Sequence, residues 1–263
     1  MAGIRTVSLA LIALGGFMGM MATGARAQAD SLTIGAAHSL KPAFQEIVPM
    51  FEREYGATIH VVYGPSQTLR RRIETGTPID VFLPEAVEEI EKLEKQGLTL
   101  NGGLRTYAQT SLVLVMSASS RVTPISFHEG LPNPTTRIAL GDPKTSALGA
   151  NTVRAIENLD SAQNTRSSRL HAQHSEEVLH LVRTGKAEAG IVYRVDAINS
   201  GHMRIIDEPV AGTYTPVRFG GAVVGTCREE SLAVAESFLD FMMSPRIKKL
   251  LLKYGFDAVP SRE

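Results

Sequence analysis

The chain has 263 residues, 27 basic and 27 acidic side chains, and a 43% hydrophobic content. A balanced charge excludes the strongly basic surface that nucleic-acid binding favours, and a single cysteine, Cys227, excludes an intrachain disulfide. The length suits one large or two modest α/β domains, and neither a solenoid-period repeat nor a low-complexity tract interrupts it.

The first 27 residues read as a cleavable export signal. Arg5 supplies the positive end, Val7 to Met21 is an apolar run broken by Gly15, Gly16 and Gly19, and Ala25-Arg26-Ala27 fits an A-x-A cleavage pattern. A run this short and glycine-rich makes a poor membrane span. No cysteine lies near the cut, so a soluble periplasmic product is expected. About 236 residues remain, with 25 basic against 27 acidic side chains.

Ser31 to Ile34 alternates like a short strand and leads through small residues to Ser39. Leu40, Phe44, Ile47, Val48 and Phe51 then recur on one helical face. Gly56 follows as a stop, and Pro42 sits in the first turn, where its missing N–H costs little. Ser39 occupies the N-cap position; its hydroxyl either caps or, with Pro42 removing a backbone donor, faces something external. Thr58 to Tyr63 reads as a buried strand, turning at Gly64 to Thr68 into a helix with Leu69 and Ile73 inward and Gly76 at its end. Arg70, Arg71 and Arg72 fan out around that helix as a solvated surface, phosphate binding being the lesser alternative.

A third strand is expected at Ile79 to Leu83. Pro84 then opens a helix with Ala86, Ile90 and Leu93 inward, the i,i+4 pairs Glu88–Lys92 and Glu91–Lys95 outside, and Gly97 as stop. Ser111 to Met116 and Arg137 to Leu140 are further strands, with Pro124, Pro132 and Pro134 in the loop between them. Gly141-Asp142-Pro143 lacks the spacing of a nucleotide P-loop and runs into a helix carrying Val153 and Ile156. Ser175 begins a helix with Val178, Leu181 and Val182 inward, and 189–192 is a strand delivering Tyr193. Gly221 to Gly225 is the last strand. A helix from about Glu229 to Met243 packs Ala233, Ser237 or Phe238, and Phe241; Ser244-Pro245 breaks it before a final helix. Strands alternating with helices imply mostly parallel sheets flanked by helices.

Small hydroxyl or glycine residues therefore mark the strand-to-helix junctions at Ser39, Ser66 and Ser146–Gly149, Ser175 starts another helix, and Tyr193 ends a strand. In open α/β sheets ligands gather beyond the carboxyl ends of strands. Each helix N-terminus there carries about half a positive charge, so several together suit an anion without lysine or arginine.

The segments AAHSLKPAF, GPSQTLRRRIETGTPIDVFLPEA, TSLVLV, IALGDPKTSALG, VRTGKAEAGIVYRVDA and FLDFMMSPRIKKLLLKYGF resemble the periplasmic molybdate-binding protein family across essentially the whole exported chain. The most specific piece is G-x-A-x-A-G-I-V-Y-x-x-D-A. The resemblance implies a type II periplasmic-binding-protein fold of two doubly wound α/β lobes closing over an oxyanion. Lobe 1 would comprise 28–111 plus 218–263 and lobe 2 112–217, with hinges near 110–113 and 216–220. It implies molybdate, with tungstate as a related ligand, bound as an oxyanion by Ser39, Ser66, the backbone amide near Leu148, a donor near Ser175, and Tyr193. It further implies no cofactor and no catalysis, a monomer, and delivery to an inner-membrane ABC permease.

Departures from the family pattern cluster at the site. His38 stands where alanine is usual, Pro65 and Gln67 flank Ser66, and His174-Ser175 replaces an acidic-apolar pair. His38 and His174 are expected either as exposed rim residues or as groups that strengthen anion binding when protonated near pH 6. A cavity offering donors only, without carboxylates, would suit fully deprotonated molybdate or tungstate and penalise hydrogen phosphate by about 1–3 kcal/mol; sulfate is acceptor-only too and must be excluded by size. Enzyme motifs are missing: neither G-x-S-x-G nor H-E-x-x-H occurs, and His60, His128, His171, His180 and His202 lack ligand spacing. The remaining alternatives on the same fold are another anion such as sulfate or a small organic acid, and iron(III) held by tyrosine and carboxylates.

Overall fold

The computed structural model describes residues 31–121, 126–127, 135–157, 168–209 and 215–260. The expected export signal, Pro124, Pro132, Pro134 and His128 lie outside them. Among the described residues no helix is long and apolar enough to cross a membrane.

Two five-stranded mixed sheets organise the chain. The first, in the order β2-β1-β3-β10-β4, is built from β1 (Ser31–Ala36), β2 (Thr58–Tyr63), β3 (Val81–Leu83), β4 (Arg105–Thr110) and β10 (Val217–Val223). The second, in the order β7-β6-β8-β5-β9, contains β5 (Leu112–Ser117), β6 (Arg137–Gly141), β7 (Ser168–Ala172), β8 (Ala189–Tyr193) and β9 (Met203–Asp207). In each, three parallel strands are followed by two antiparallel ones: β1 runs parallel to β2 and β3 while β10 opposes β3 and β4, and β6 runs parallel to β7 and β8 while β5 opposes β8 and β9. Only Ser111 separates β4 from β5, so the chain leaves one sheet and enters the other within a single residue. Two sheets joined in this way give the two-lobed arrangement that the resemblance implies.

Helices cover both sheets: α1 (Lys41–Tyr55), α2 (Ser66–Glu74), α3 (Glu88–Glu94), α4 (Ala147–Glu157), α5 (Ser175–Arg183), α6 (Arg194–Asn199), α7 (Leu232–Met243) and α8 (Pro245–Lys253). The face of α1 is as its periodicity requires, with Leu40, Phe44, Ile47 and Phe51 buried and Val48 partly so. Phe51 meets Phe238 of α7 edge-on at 5.1 Å and Phe241 at 5.4 Å. Gly56 ends α1 at φ +67, a left-handed position that favours glycine.

An internal ion pair ties the first sheet's ends together. Asp80 accepts from Thr33 N at 2.7 Å and from Arg228 Nη2 at 2.9 Å, and Arg228 also donates to Ser31 O at 2.6 Å. Burial pushes the Asp80 carboxyl up, but the bonds from Arg228 and Thr33 outweigh it and hold the group below the ordinary carboxylate value.

Several local expectations are corrected. Strand β2 lies at a sheet edge and is half-exposed, not buried. Strand β3 is confined to 81–83, and β10 spans 217–223 where 221–225 was expected. Helix α3 begins at Glu88, and its charges pair differently: Lys92 with Glu89, Glu88 with Arg154, Glu91 with Arg218. Arg70 is not a solvated side chain; it is half-buried between Glu74 and Glu89. Ala233 faces solvent, because α7 packs through Val234, Ala235, Phe238, Leu239, Phe241 and Met242.

Candidate functional site

The parallel strands of both sheets end at the level where the sheets face each other, and the residues just beyond those ends converge. Beyond β1 a 3-10 turn, His38–Leu40, precedes α1 and buries Ser39. Ser39 is therefore not an N-cap: no side-chain cap bond is made there, and its Oγ donates to Asp196 Oδ2 at 3.0 Å, across to the second sheet's side. Beyond β2, Ser66 opens α2; its hydroxyl is buried and accepts from Glu85 N at 3.0 Å. Beyond β3 comes Glu85 itself, and beyond β8, in the first turn of α6, Asp196.

On the second side, β6 runs through Gly141 into α4. Ser146 Oγ accepts from Gly149 N at 3.4 Å, capping the helix. Leu148, the second residue of α4 and fully buried, carries one of the amides that a helix start leaves without an intrahelical partner. Ser175 opens α5 with its Oγ buried beside the Asp196 carboxyl and without a well-formed hydrogen bond. His174 caps that helix, its Nδ1 accepting from Glu177 N at 3.3 Å, a role open only to an unprotonated nitrogen.

A cavity of about 240 Å³ lies between the two sides, with Ser39, Ser175, Glu85 and Asp196 on its inner wall and His38, Lys41 and Arg183 toward its mouth. Ser39 and Ser175 thus share one space. Ser66 touches it through Glu85, and Leu148 is related to Tyr193 through α4, whose Asn151 Nδ2 reaches Tyr193 Oη at 3.4 Å. Tyr193 is fully buried and packs edge-on against Phe219 at 6.2 Å. Burial, then the Glu85 carboxyl, push its phenol well above 10, so it is a hydroxyl donor throughout the physiological range.

The expectation of a wall without carboxylates fails. Glu85 is buried, its Oε1 has no hydrogen-bond partner, and burial followed by the charge of Asp196 pushes its carboxyl up to about 8. Asp196 is pushed up to about 6, burial being opposed by Ser175 and Ser39. Each acid follows a strand end that sequence patterning located, but a carboxylate in a helix's first turn reads as an ordinary dipole partner. Nothing local announces that Glu85 is buried and that Asp196 is half-buried beside it.

His38 and His174 are both half-buried rather than freely exposed. Their rings meet at 4.7 Å, tilted by 43°, and burial, then His174, hold His38 below its ordinary 6.5 although Glu176 pulls the other way. The lowering disfavours the protonated His38 that was expected to strengthen anion binding. Cys227 is half-buried, its thiol pushed up to about 12 by burial and by Asp80, which leaves it unreactive. Among the described residues no group of three or more His, Cys, Asp or Glu side chains is placed to hold a metal ion.

The profile of the Bacterial extracellular solute-binding protein family matches residues 32–257. The molybdate-binding protein ModA of Azotobacter vinelandii is 27% identical over 95% of this chain and 98% of its own, and ModA of Escherichia coli strain K12 is 28% identical over 90% and 92%. The solved periplasmic molybdate-binding protein of Azotobacter vinelandii superposes with a TM-score of 0.71 at 22% identity, over 88% of this chain and all of that one.

Proposed function

Because the chain belongs to the bacterial extracellular solute-binding protein family, we propose that it captures molybdate, with tungstate as an alternative cargo, between its two lobes and hands it to an ABC permease in the inner membrane. Its place is the periplasm, reached by a signal in residues 1–27, and it works as a monomer. One lobe comprises 28–111 with 218–263 and the other 112–217, hinged near 110–113 and 216–220. No step of catalysis is involved.

A single observation carries the reading. The cavity between the sheets brings together two buried serine hydroxyls, Ser39 Oγ bonded to Asp196 and Ser175 Oγ beside that carboxyl without a well-formed hydrogen bond of its own. A buried donor without a well-formed bond costs about 1–3 kcal/mol, which a tetrahedral anion with four acceptor oxygens would relieve at Ser175. Ser66, the Leu148 amide and Tyr193 complete the proposed donor set. Whole-length similarity to molybdate-binding relatives at 27 and 28% identity points to the same class of ligand.

A thermal-shift series with molybdate, tungstate, sulfate, phosphate and iron(III) tests this. Molybdate or tungstate at a hundred times its dissociation constant adds about 2.7 kcal/mol to stability. A shift with sulfate alone would move the assignment to that anion, and a shift with iron(III) alone would replace the oxyanion reading altogether.

A further inference from the structure

Among the carboxyls that line the cavity, Glu85, Glu176 and Asp196, Glu85 is the one with a buried oxygen that lacks a partner. Its Oε1 is fully buried and lacks any partner among the described residues, and its backbone is fixed by the bond from its N–H to Ser66 Oγ at 3.0 Å. An ionised carboxylate left in that position would repel a dianion and pay its own desolvation. A neutral carboxyl carries an O–H donor. Resting on the anion-capture reading above, we propose that Glu85 is a specificity-determining residue that binds the cargo as a protonated donor, so that a fully deprotonated tetrahedral dianion and one proton on Glu85 occupy the site together.

The surroundings keep that proton in place. Burial and the like charge of Asp196 across the cavity both disfavour an ionised Glu85, while Tyr193 stays a neutral hydroxyl. Glu176 adds negative charge at the wall, and Lys41 and Arg183, which would favour ionisation, are exposed near the mouth. His38 is held neutral above its lowered value. With Glu85 pushed up to about 8, Asp196 to about 6, His38 lowered and Tyr193 raised well above 10, the window above pH 7.5 separates Glu85 from these neighbours.

Isothermal titration of the exported chain with sodium molybdate, between pH 6.5 and 9.5 in buffers of differing ionisation enthalpy, tests the proposal. Affinity is expected to fall about tenfold per pH unit once Glu85 ionises in the free protein, with close to one proton taken up per anion at pH 9. Glu85→Gln, which keeps a donor and cannot ionise, should bind molybdate with an affinity flat above pH 7.5 and with no proton uptake. A Glu85→Gln profile that falls as the parent's does would overturn the donor role. So would phosphate binding more tightly than molybdate at pH 8 and lost in Glu85→Gln, since the proton would then sit on the ligand. Failure of the parent to bind molybdate, tungstate or sulfate at any pH defeats the anion-capture reading and this inference with it, whereas binding that ignores Glu85 defeats the inference alone.

Discussion

Ser39 and Glu85 show how differently two buried polar residues announce themselves. Serine at a strand-to-helix junction was legible, because small hydroxyl residues at that position serve caps and anion sites alike. Its partner was not: Asp196 lies 157 residues away, and no local pattern reports such a bond. Ser39→Ala should weaken molybdate binding by about 1–3 kcal/mol, roughly 5- to 150-fold, if the hydroxyl turns from Asp196 to the anion; titration calorimetry decides, and an unchanged affinity would remove Ser39 from the site. Glu85 has a second measurable consequence in the unliganded protein. Its carboxyl is pushed up to about 8 from an ordinary 4.5, so between those values the unfolded chain releases a proton that the folded one retains. Stability therefore falls as pH rises through that window, by up to about 1.4 kcal/mol per unit. Glu85→Gln should raise the melting temperature at pH 8 and leave it nearly unchanged at pH 4; an equal effect at both would mean that ionisation is not involved. Asp80 runs in the opposite sense. Its lowered value means its contribution is present above 3.8 and lost as pH falls, and Asp80→Asn, which removes the charge facing Arg228 and one acceptor oxygen while Arg228 keeps its bonds to Ser31, should cost about 1–3 kcal/mol in urea unfolding at pH 7.

At the scale of elements, the strands that patterning missed are all edges. β4 (RTYAQT) closes one end of the first sheet, and β7 (SRLHA) and β9 (MRIID) are the two ends of the second. An edge strand meets solvent along one side and carries polar residues there, so its apolar signal fades, while central strands such as β5 and β8, buried on both faces, read as continuous apolar runs. The helices were clearer, since each must show one apolar face to its sheet. The turn from β6 into α4 was recognised as a junction but not as a close approach. A Cβ on Gly149 would stand 2.4 Å from Asp142 C and 2.4 Å from Gly141 O, and one on Gly141 would stand 2.4 Å from Gly149 N. These contacts are with backbone, which yields little, so the strand end and the helix start interlock only through paired glycines. Gly149→Ala should push the α4 N-terminus outward, cost about 1–3 kcal/mol of stability, and weaken anion binding through the Leu148 amide even though no side chain of the proposed donor set is touched. Full affinity in that variant would show that the amide takes no part.

The whole molecule places its two raised carboxyls on opposite lobes: Glu85 follows β3 of the first sheet and Asp196 follows β8 of the second. Both sit where the two sheets meet, among contacts that include Ser39 with Asp196, the tilted His38 and His174 rings, Tyr193 edge-on to Phe219, Asn199 Nδ2 to Tyr254 O, and an exposed Arg154–Glu88 pair of little energetic weight. Separating the lobes would return both acids to water, where they ionise near their ordinary values of 4.5 and 3.8. The closed form therefore binds more protons than the open one, and rising pH must favour opening, first through Asp196 near 6 and then through Glu85 near 8. Each group contributes up to about 1.4 kcal/mol per pH unit between its two values, which is enough to move a two-state equilibrium about tenfold per unit. Small-angle scattering of the unliganded chain should accordingly show the radius of gyration increasing from pH 5.5 to 9. The increase should be smaller in Glu85→Gln, and saturating molybdate at pH 7 should reverse it, because an anion held by donors from both lobes binds the closed form preferentially. A radius independent of pH in the parent chain would mean that these carboxyls do not control closure, and would separate the pH dependence of binding from any movement of the lobes.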